Sequence, residues 1–159
     1  MAEARPTLLS DLAAGLRDAL AAIPGYAVVD GERTNQALRQ IDPDGNARID
    51  VEALRRIAAS ARVLQPALIE DHGRWRMHGR LVTGGQVHQA MPGPSAADPV
   101  AALRAWAAQP ETMHALGLDR KTIDLALPES LTALDHYGAG LLARQRNQLA
   151  EALQQFTAA

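Results

Sequence analysis

Cysteine is absent from this chain of 159 residues, and aromatic residues make up only 3% of it. Without cysteine the chain can form neither a disulfide framework nor a thiolate site, and this fits a reducing compartment. Hydrophobic residues nevertheless account for 47% of the sequence, so the core must be built from leucine, alanine, isoleucine and valine. This composition favours packed helices over a β-sandwich.

A charge of one sign and long apolar runs are missing as well. Sixteen basic and 18 acidic side chains give a formal net charge of −2, so no overall field draws the protein to nucleic acid or to an anionic membrane. The sequence contains no run of about 18 apolar residues, so it predicts no membrane-spanning helix. Residues 1–10 do not resemble a signal peptide. We expect a cytoplasmic protein with one domain, since this length suits a single core.

Apolar residues recur at spacings of three and four in several segments, the pattern of amphipathic helices. The predicted helices span residues 7–22, 32–41, 50–64, 98–108, 110–117, 119–127 and 131–156. Gly138 and Gly140 interrupt the last of them, and each costs about 1 kcal/mol relative to alanine, so a kink or a close helix contact is expected there. The segment 26–29 is either a short strand or a buried connector. The sequence thus predicts a mainly α fold.

The pattern changes to a period of two between His72 and Arg80, which predicts a strand. We expect it to form a short hairpin with residues 81–83, with Trp75 and Met77 pointing into the core. The opposite face of the strand then carries three arginines: Arg74, Arg76 and Arg80. Their guanidinium groups suit an anionic partner. The alternative is a solvated face neutralised by the neighbouring Glu70 and Asp71.

Turn-forming residues follow this predicted strand. Gly84 and Gly85 predict a turn, and residues 91–95 contain two prolines that should exclude regular structure. The segment 91–97 is therefore a candidate hinge within the single domain.

Between the second and third predicted helices, oxygen-bearing side chains stand at alternate positions, beginning with Asp42, Asp44 and Asn46. This segment, 42–53, resembles the calcium-binding loop of an EF-hand, and the resemblance covers about 25 residues with the flanking helices. It implies a set of candidate metal ligands, with Arg48 acting through its backbone carbonyl: Asp42, Asp44, Asn46, Arg48, Asp50 and Glu52.

Two positions of this loop depart from the EF-hand pattern. Ala47 stands where a glycine normally supplies a positive φ, and Ala53 stands where a bidentate carboxylate normally closes the site. Three outcomes follow: Glu52, one residue earlier, reaches in; the ion is held weakly; or none binds. Without metal, the same residues form a turn, and Asp50 caps the next helix.

Residues 113–127 resemble the turn and second helix of a helix-turn-helix motif. The resemblance implies that Arg120, Lys121 and Thr122 face a DNA groove. Asp119 and Asp124 on the same helix oppose that interpretation, and the segment serves equally well as a tight corner between two core helices.

No pattern typical of an enzyme is found, since the chain lacks a Gly-x-Ser-x-Gly elbow, a phosphate loop and a His-Glu-x-x-His motif. The leading prediction is a non-enzymatic interaction or assembly protein that docks onto a protein partner or a second copy of itself. A structural component of a phage particle or a secretion machine would fit. The alternatives are a helix-turn-helix DNA-binding regulator and a weak calcium-binding module, and no cofactor other than Ca²⁺ is expected.

Overall fold

The computed structural model describes residues 8–45, 49–83 and 86–159, and the predicted turn at Gly84 and Gly85 lies outside these ranges. Eight helices and three strands are found in them, so the mainly α fold class is confirmed. In chain order they are α1 (Leu8–Ala21), α2 (Gly31–Ile41), α3 (Val51–Ile57), β1 (Arg62–Asp71), β2 (Arg74–Thr83), β3 (Gln86–Pro92), α4 (Pro99–Ala107), α5 (Pro110–Leu116), α6 (Arg120–Ala126), α7 (Leu131–Gln145) and α8 (Leu149–Ala158). No helix in the described ranges combines the length and the apolar character needed to cross a bilayer.

Side-chain caps set the start of several helices. Asp98 accepts a hydrogen bond from the backbone N–H of Ala101, and Pro99 occupies the first turn of α4. Ser130 caps α7 in the same way. Such caps satisfy backbone donors that have no partner inside the helix.

The strands form one antiparallel sheet in the order β1-β2-β3. The strand predicted from 72 to 80 corresponds to β2, but β2 begins at Arg74, so the predicted start is too early, and the predicted pairing with residues 81–83 is also wrong. β2 continues through those residues and pairs with β1, from Asp71 opposite Arg74 to Arg62 opposite Thr83. His72 and Gly73 form the turn, both with positive φ, as two-residue hairpin turns of type I′ require.

The helix predicted from 50 to 64 is too long, because α3 ends at Ile57 and Ala59 adopts a positive φ. Residues from 62 onward belong to β1, which tolerates Pro66 because it is an edge strand. The predicted loop at 91–95 also begins too early, since the other edge strand, β3, ends at Pro92. Residues 26–29 form a connector, not a strand.

The main core is centred on Trp106, whose side chain on α4 is fully buried. Its indole N–H donates a hydrogen bond of 2.9 Å to the carbonyl of Met91. The ring lies so close to the sheet that a Cβ atom on Gly79 would be 2.3 Å from it. Leucines of α1, α4, α5 and α7 complete this core: Leu12, Leu16, Leu103, Leu116 and Leu134.

A second, smaller core lies apart from the first. Ala37 of α2, Leu54 of α3 and Ala58 directly after α3 form its buried centre. Half-buried residues surround them: Val29, Leu38, Ile41, Ile49 and Val63. The helix pair α2–α3 therefore has apolar packing of its own, and Val63 links it to the first strand.

The predicted helix from 131 to 156 is two helices, α7 and α8. The chain reverses at residues 146–148, where Asn147 adopts a positive φ of 59°. Helix α7 continues through Gly138 and Gly140. Of the two effects expected at these glycines, a kink or a close helix contact, Gly140 shows the close contact. A Cβ atom there would be 2.5 Å from the ring of Phe156 on α8.

A polar contact also joins helix α7 to α1. The hydroxyl of Tyr137 donates a hydrogen bond to the carboxylate of Asp18. Partial burial, followed by this hydrogen bond, raises the pKa of Tyr137 above its ordinary value of 10.0. The neutral phenol is therefore the form that the folded protein favours.

The two glycines of α7 should respond differently to alanine. In Gly140→Ala the new methyl group meets the Phe156 ring, and we expect a loss of about 1–3 kcal/mol in the free energy of unfolding. In Gly138→Ala the methyl group meets only the end of the Asp11 side chain at 2.8 Å. That side chain can move, and the gain in helix propensity of about 1 kcal/mol offsets the contact. Urea unfolding of both variants measures the difference, and equal losses would contradict the packing described.

Raising the pH should weaken the fold through Tyr137. Because the folded state holds the pKa above 10.0, the phenol of the unfolded chain loses its proton first as the pH rises. Stability is therefore fully present below that value and falls above it. We expect a shallower fall for Tyr137→Phe, measured as the free energy of unfolding from about pH 8 to about pH 11. Parallel curves for the two proteins would show that Tyr137 contributes nothing to the dependence.

Candidate functional site

The basic alternation lies on the central strand of the sheet. Met77 and Gly79 of β2 are buried on the side covered by α4, and Trp75 packs against the main core. The alternate residues Arg76 and Arg80 are exposed on the opposite side. The predicted division of this strand into a core face and a basic face is therefore confirmed.

The neighbours of these arginines across the sheet carry no charge. Arg76 is paired with Ile69 on β1, and the remaining partners of this face on β1 and β3 are Gln65, Ala67, Ala90 and Pro92. Ile69 is 45% exposed. We call Arg76, His78, Arg80 and Ile69 the basic sheet face.

Glu70 and Asp71 are the two acidic residues that could neutralise this face, but neither lies opposite Arg76 or Arg80. Glu70 is paired with Trp75 and so belongs to the other side of the sheet. Asp71 lies opposite Arg74 at the end of the hairpin and contacts His72. Within the described ranges, Arg76 and Arg80 take part in no side-chain hydrogen bond or ion pair.

Arg74 has a structural partner, unlike the other two arginines. Its Nε–H donates to the hydroxyl of Ser95 at 2.7 Å, and its Nη2 donates to the Ser95 carbonyl at 3.2 Å. Backbone hydrogen bonds in both directions also join Trp75 to Ala96. These contacts attach the candidate hinge 91–97 to the sheet, and the hinge itself stays a prediction.

The acidic loop lies between two helices, α2 and α3, and two of its described carboxylates, Asp50 and Glu52, have partners on α3. Asp50 caps α3 and accepts hydrogen bonds from the backbone N–H groups of Glu52 and Ala53 at 3.0 and 3.1 Å. Glu52 forms a bidentate ion pair with Arg55, with a shortest distance of 2.6 Å. That pairing directs Glu52 along its own helix.

The rest of the proposed ligand set cannot be assembled from the described residues. Asn46 and Arg48 lie outside them, as does Ala47. Asp42 follows α2, and its backbone N–H donates to the carbonyl of Leu38. In the described part of the chain, no three histidine or acidic side chains form a group that could hold a metal ion. Calcium binding by this loop stays a prediction of the sequence.

The segment that resembles a helix-turn-helix forms a tight corner between α5 and α6. Gly117 supplies the positive φ that ends α5. The backbone N–H of Thr122 donates to Asp119 at 2.7 Å and holds the pKa of that carboxyl below its ordinary value. Arg120 lies 3.9 Å from Asp124, one turn along α6, so a carboxylate stands beside the proposed DNA contacts.

Arg104 of α4 fixes α6 in place from the other side. It donates to the carbonyl of Leu127 at 3.0 Å and to the carboxylate of Asp124 at 3.1 Å. Lys121 is exposed and Thr122 half-buried on this seven-residue helix. The structure thus gives α6 a packing role, and the proposed DNA contacts stay predictions.

One feature of the structure has no counterpart in any sequence pattern. A cavity of about 490 Å³ lies between α1, the connector 25–29, α3 and β1. Its walls come from segments far apart in the chain, so periodicity within one segment could not reveal it. We call it the connector cavity.

Comparisons with known proteins give no further assignment. A scan against known protein families, a search of curated proteins and a search of solved structures each found no match to this chain.

Proposed function

We propose that this protein is a non-enzymatic docking protein that binds an acidic protein surface through its basic sheet face. The observation that supports this most directly is the position of Arg76 and Arg80. They project from the central strand, opposite the side covered by α4, and their paired residues are uncharged.

The chemistry of this face suits a protein partner. A guanidinium group binds carboxylates through two parallel hydrogen bonds, and arginine is enriched at protein interfaces. Ile69 adds an apolar contact beside Arg76, which a purely electrostatic surface would lack. Charged and apolar groups in one patch favour a defined interface over loose attraction.

The partner is expected to be a different molecule. In a symmetric dimer the same patch meets itself across the interface, and two basic faces would repel each other. An assembly of unlike subunits therefore suits the surface better, as in a phage particle or a secretion machine, and the proposal keeps the cytoplasmic setting expected from the sequence. DNA binding and calcium binding stay alternatives that no contact described above favours.

Charge reversal on the basic sheet face tests this function. We expect Arg76→Glu with Arg80→Glu to weaken binding to immobilised poly-L-glutamate, a model acidic polypeptide, by at least about tenfold, which corresponds to roughly 1.4 kcal/mol. Binding by the unaltered protein should fall as salt is added, because exposed charges are screened. Retention on the polymer measures both effects.

The matched control is Arg33→Glu with Arg56→Glu, which changes the net charge equally at two exposed positions of α2 and α3. It should retain most of the binding, and all proteins should keep their melting temperatures. Equal losses in the two double variants would show that only net charge matters and would refute the proposed face. Tight binding to duplex DNA that survives the Arg76 and Arg80 changes would favour the alternative function.

A further inference from the structure

The connector cavity has an apolar floor and walls. Its lining includes five buried residues from separate segments: Leu16 of α1, Leu54 of α3, Ala58 directly after α3, Leu81 of β2 and Leu116 of α5. Its volume of about 490 Å³ lies within the range of about 300–1,000 Å³ found for small-molecule sites. The exposed lining residues, such as Ala27 and Arg62, mark its mouth.

All the formal charge that lines the cavity is positive. Arg17 and Arg62 contribute to its lining, whereas no aspartate or glutamate does. Arg17 is half-buried and lies beside Gly31, where a Cβ atom would be 2.8 Å from its Nη1. Among the described residues it has no hydrogen bond or ion pair.

The second arginine is held in position by neighbouring groups. Arg62 donates to the hydroxyl of Tyr26 at 3.0 Å and to the carbonyl of Ala115 at 3.4 Å. Its guanidinium carbon also lies 5.4 Å from the centre of the Tyr26 ring. The Tyr26 hydroxyl in turn donates to the carbonyl of Leu116. Arg62 retains further N–H donors, since a guanidinium group carries five.

We infer that the connector cavity binds a small amphipathic carboxylic acid, with its acyl chain against the leucines and its carboxylate at Arg17 and Arg62. The apolar floor accepts the chain, and a carboxylate is the anion that matches a guanidinium group. The site shares no residue with the basic sheet face, so this binding is independent of the proposed docking.

Sodium decanoate, used below its micelle-forming concentration, tests the inference on the full chain. We expect saturable binding by calorimetry and a rise in melting temperature, because a ligand that binds only the folded form stabilises it. Decanoate should bind about tenfold more tightly than decanol, the difference being the contribution of the carboxylate. Methyl NMR shifts should concentrate at Leu54 and Leu116.

Variants separate the two parts of the site. Arg17→Met should reduce the preference for decanoate, with Arg62 still present, while leaving decanol binding unchanged, and Arg33→Met, outside the cavity, should change neither. Ala58→Leu fills the floor and should abolish both, provided circular dichroism shows that it folds. If it does not, Arg17→Met and the NMR map still decide.

Several outcomes would overturn the inference. Equal affinity for decanoate and decanol in the unaltered protein would remove the role of the arginines. Binding that survives a folded Ala58→Leu variant would place the site elsewhere. Attachment to phosphatidylglycerol vesicles without binding of free decanoate would point to a lipid surface instead of a soluble acid.

Discussion

The indole of Trp106 joins α4 to the sheet, and the arrangement of the surrounding elements depends on this contact. The ring fits over Gly79, lies against Gly93 and donates its N–H to the carbonyl of Met91. A side chain at Gly79 would occupy space that the ring fills, whereas one at Gly93 would meet first the backbone carbonyl of Met77 at 2.3 Å. Because α4 packs on this side of β2, the arginines of the same strand are left on the other side, away from α4. The packing of one aromatic residue thus fixes which face of β2 is covered by α4.

The second structural constraint is the separation of the two apolar cores. The pair α2–α3, with Ala58 directly after α3, buries Ala37, Leu54 and Ala58 against each other. The connector, the start of β1 and the approach of Arg17 to Gly31 link that pair to the main core. Packing in this region is therefore incomplete, and the connector cavity lies at the boundary. Tyr26 and Arg62 connect this boundary to α5, since they bond to the carbonyls of Leu116 and Ala115. A ligand in the cavity would contact residues of both cores.

Local sequence patterns predicted the bounds of some helices closely and those of others wrongly. Helices with a cap and a clear end, such as α4 and the α5–α6 corner, follow their predictions closely because capping and glycine turns act within a few residues. The prediction of a helix from 50 to 64 was wrong beyond Ile57, because the apolar spacing continues into β1, which pairs with β2. Periodicity in a short apolar run does not distinguish a strand from a helix. A proline such as Pro66 can end a helix or lie within an edge strand, so it does not decide between the two.

The candidate functional residues also divide into those whose role the sequence predicted and those whose role only the folded structure revealed. The sequence by itself determined the mainly α character, the two-faced strand that begins at Arg74 and the capping role of Asp50, since each depends on residues close together in the chain. Only the tertiary structure decided that Arg74 binds Ser95, that Glu52 pairs with Arg55, that the last helix reverses at Asn147, and that a cavity forms beside Arg17. These features depend on side-chain direction or on contacts between distant segments, and such contacts are set by three-dimensional packing, which linear spacing does not encode.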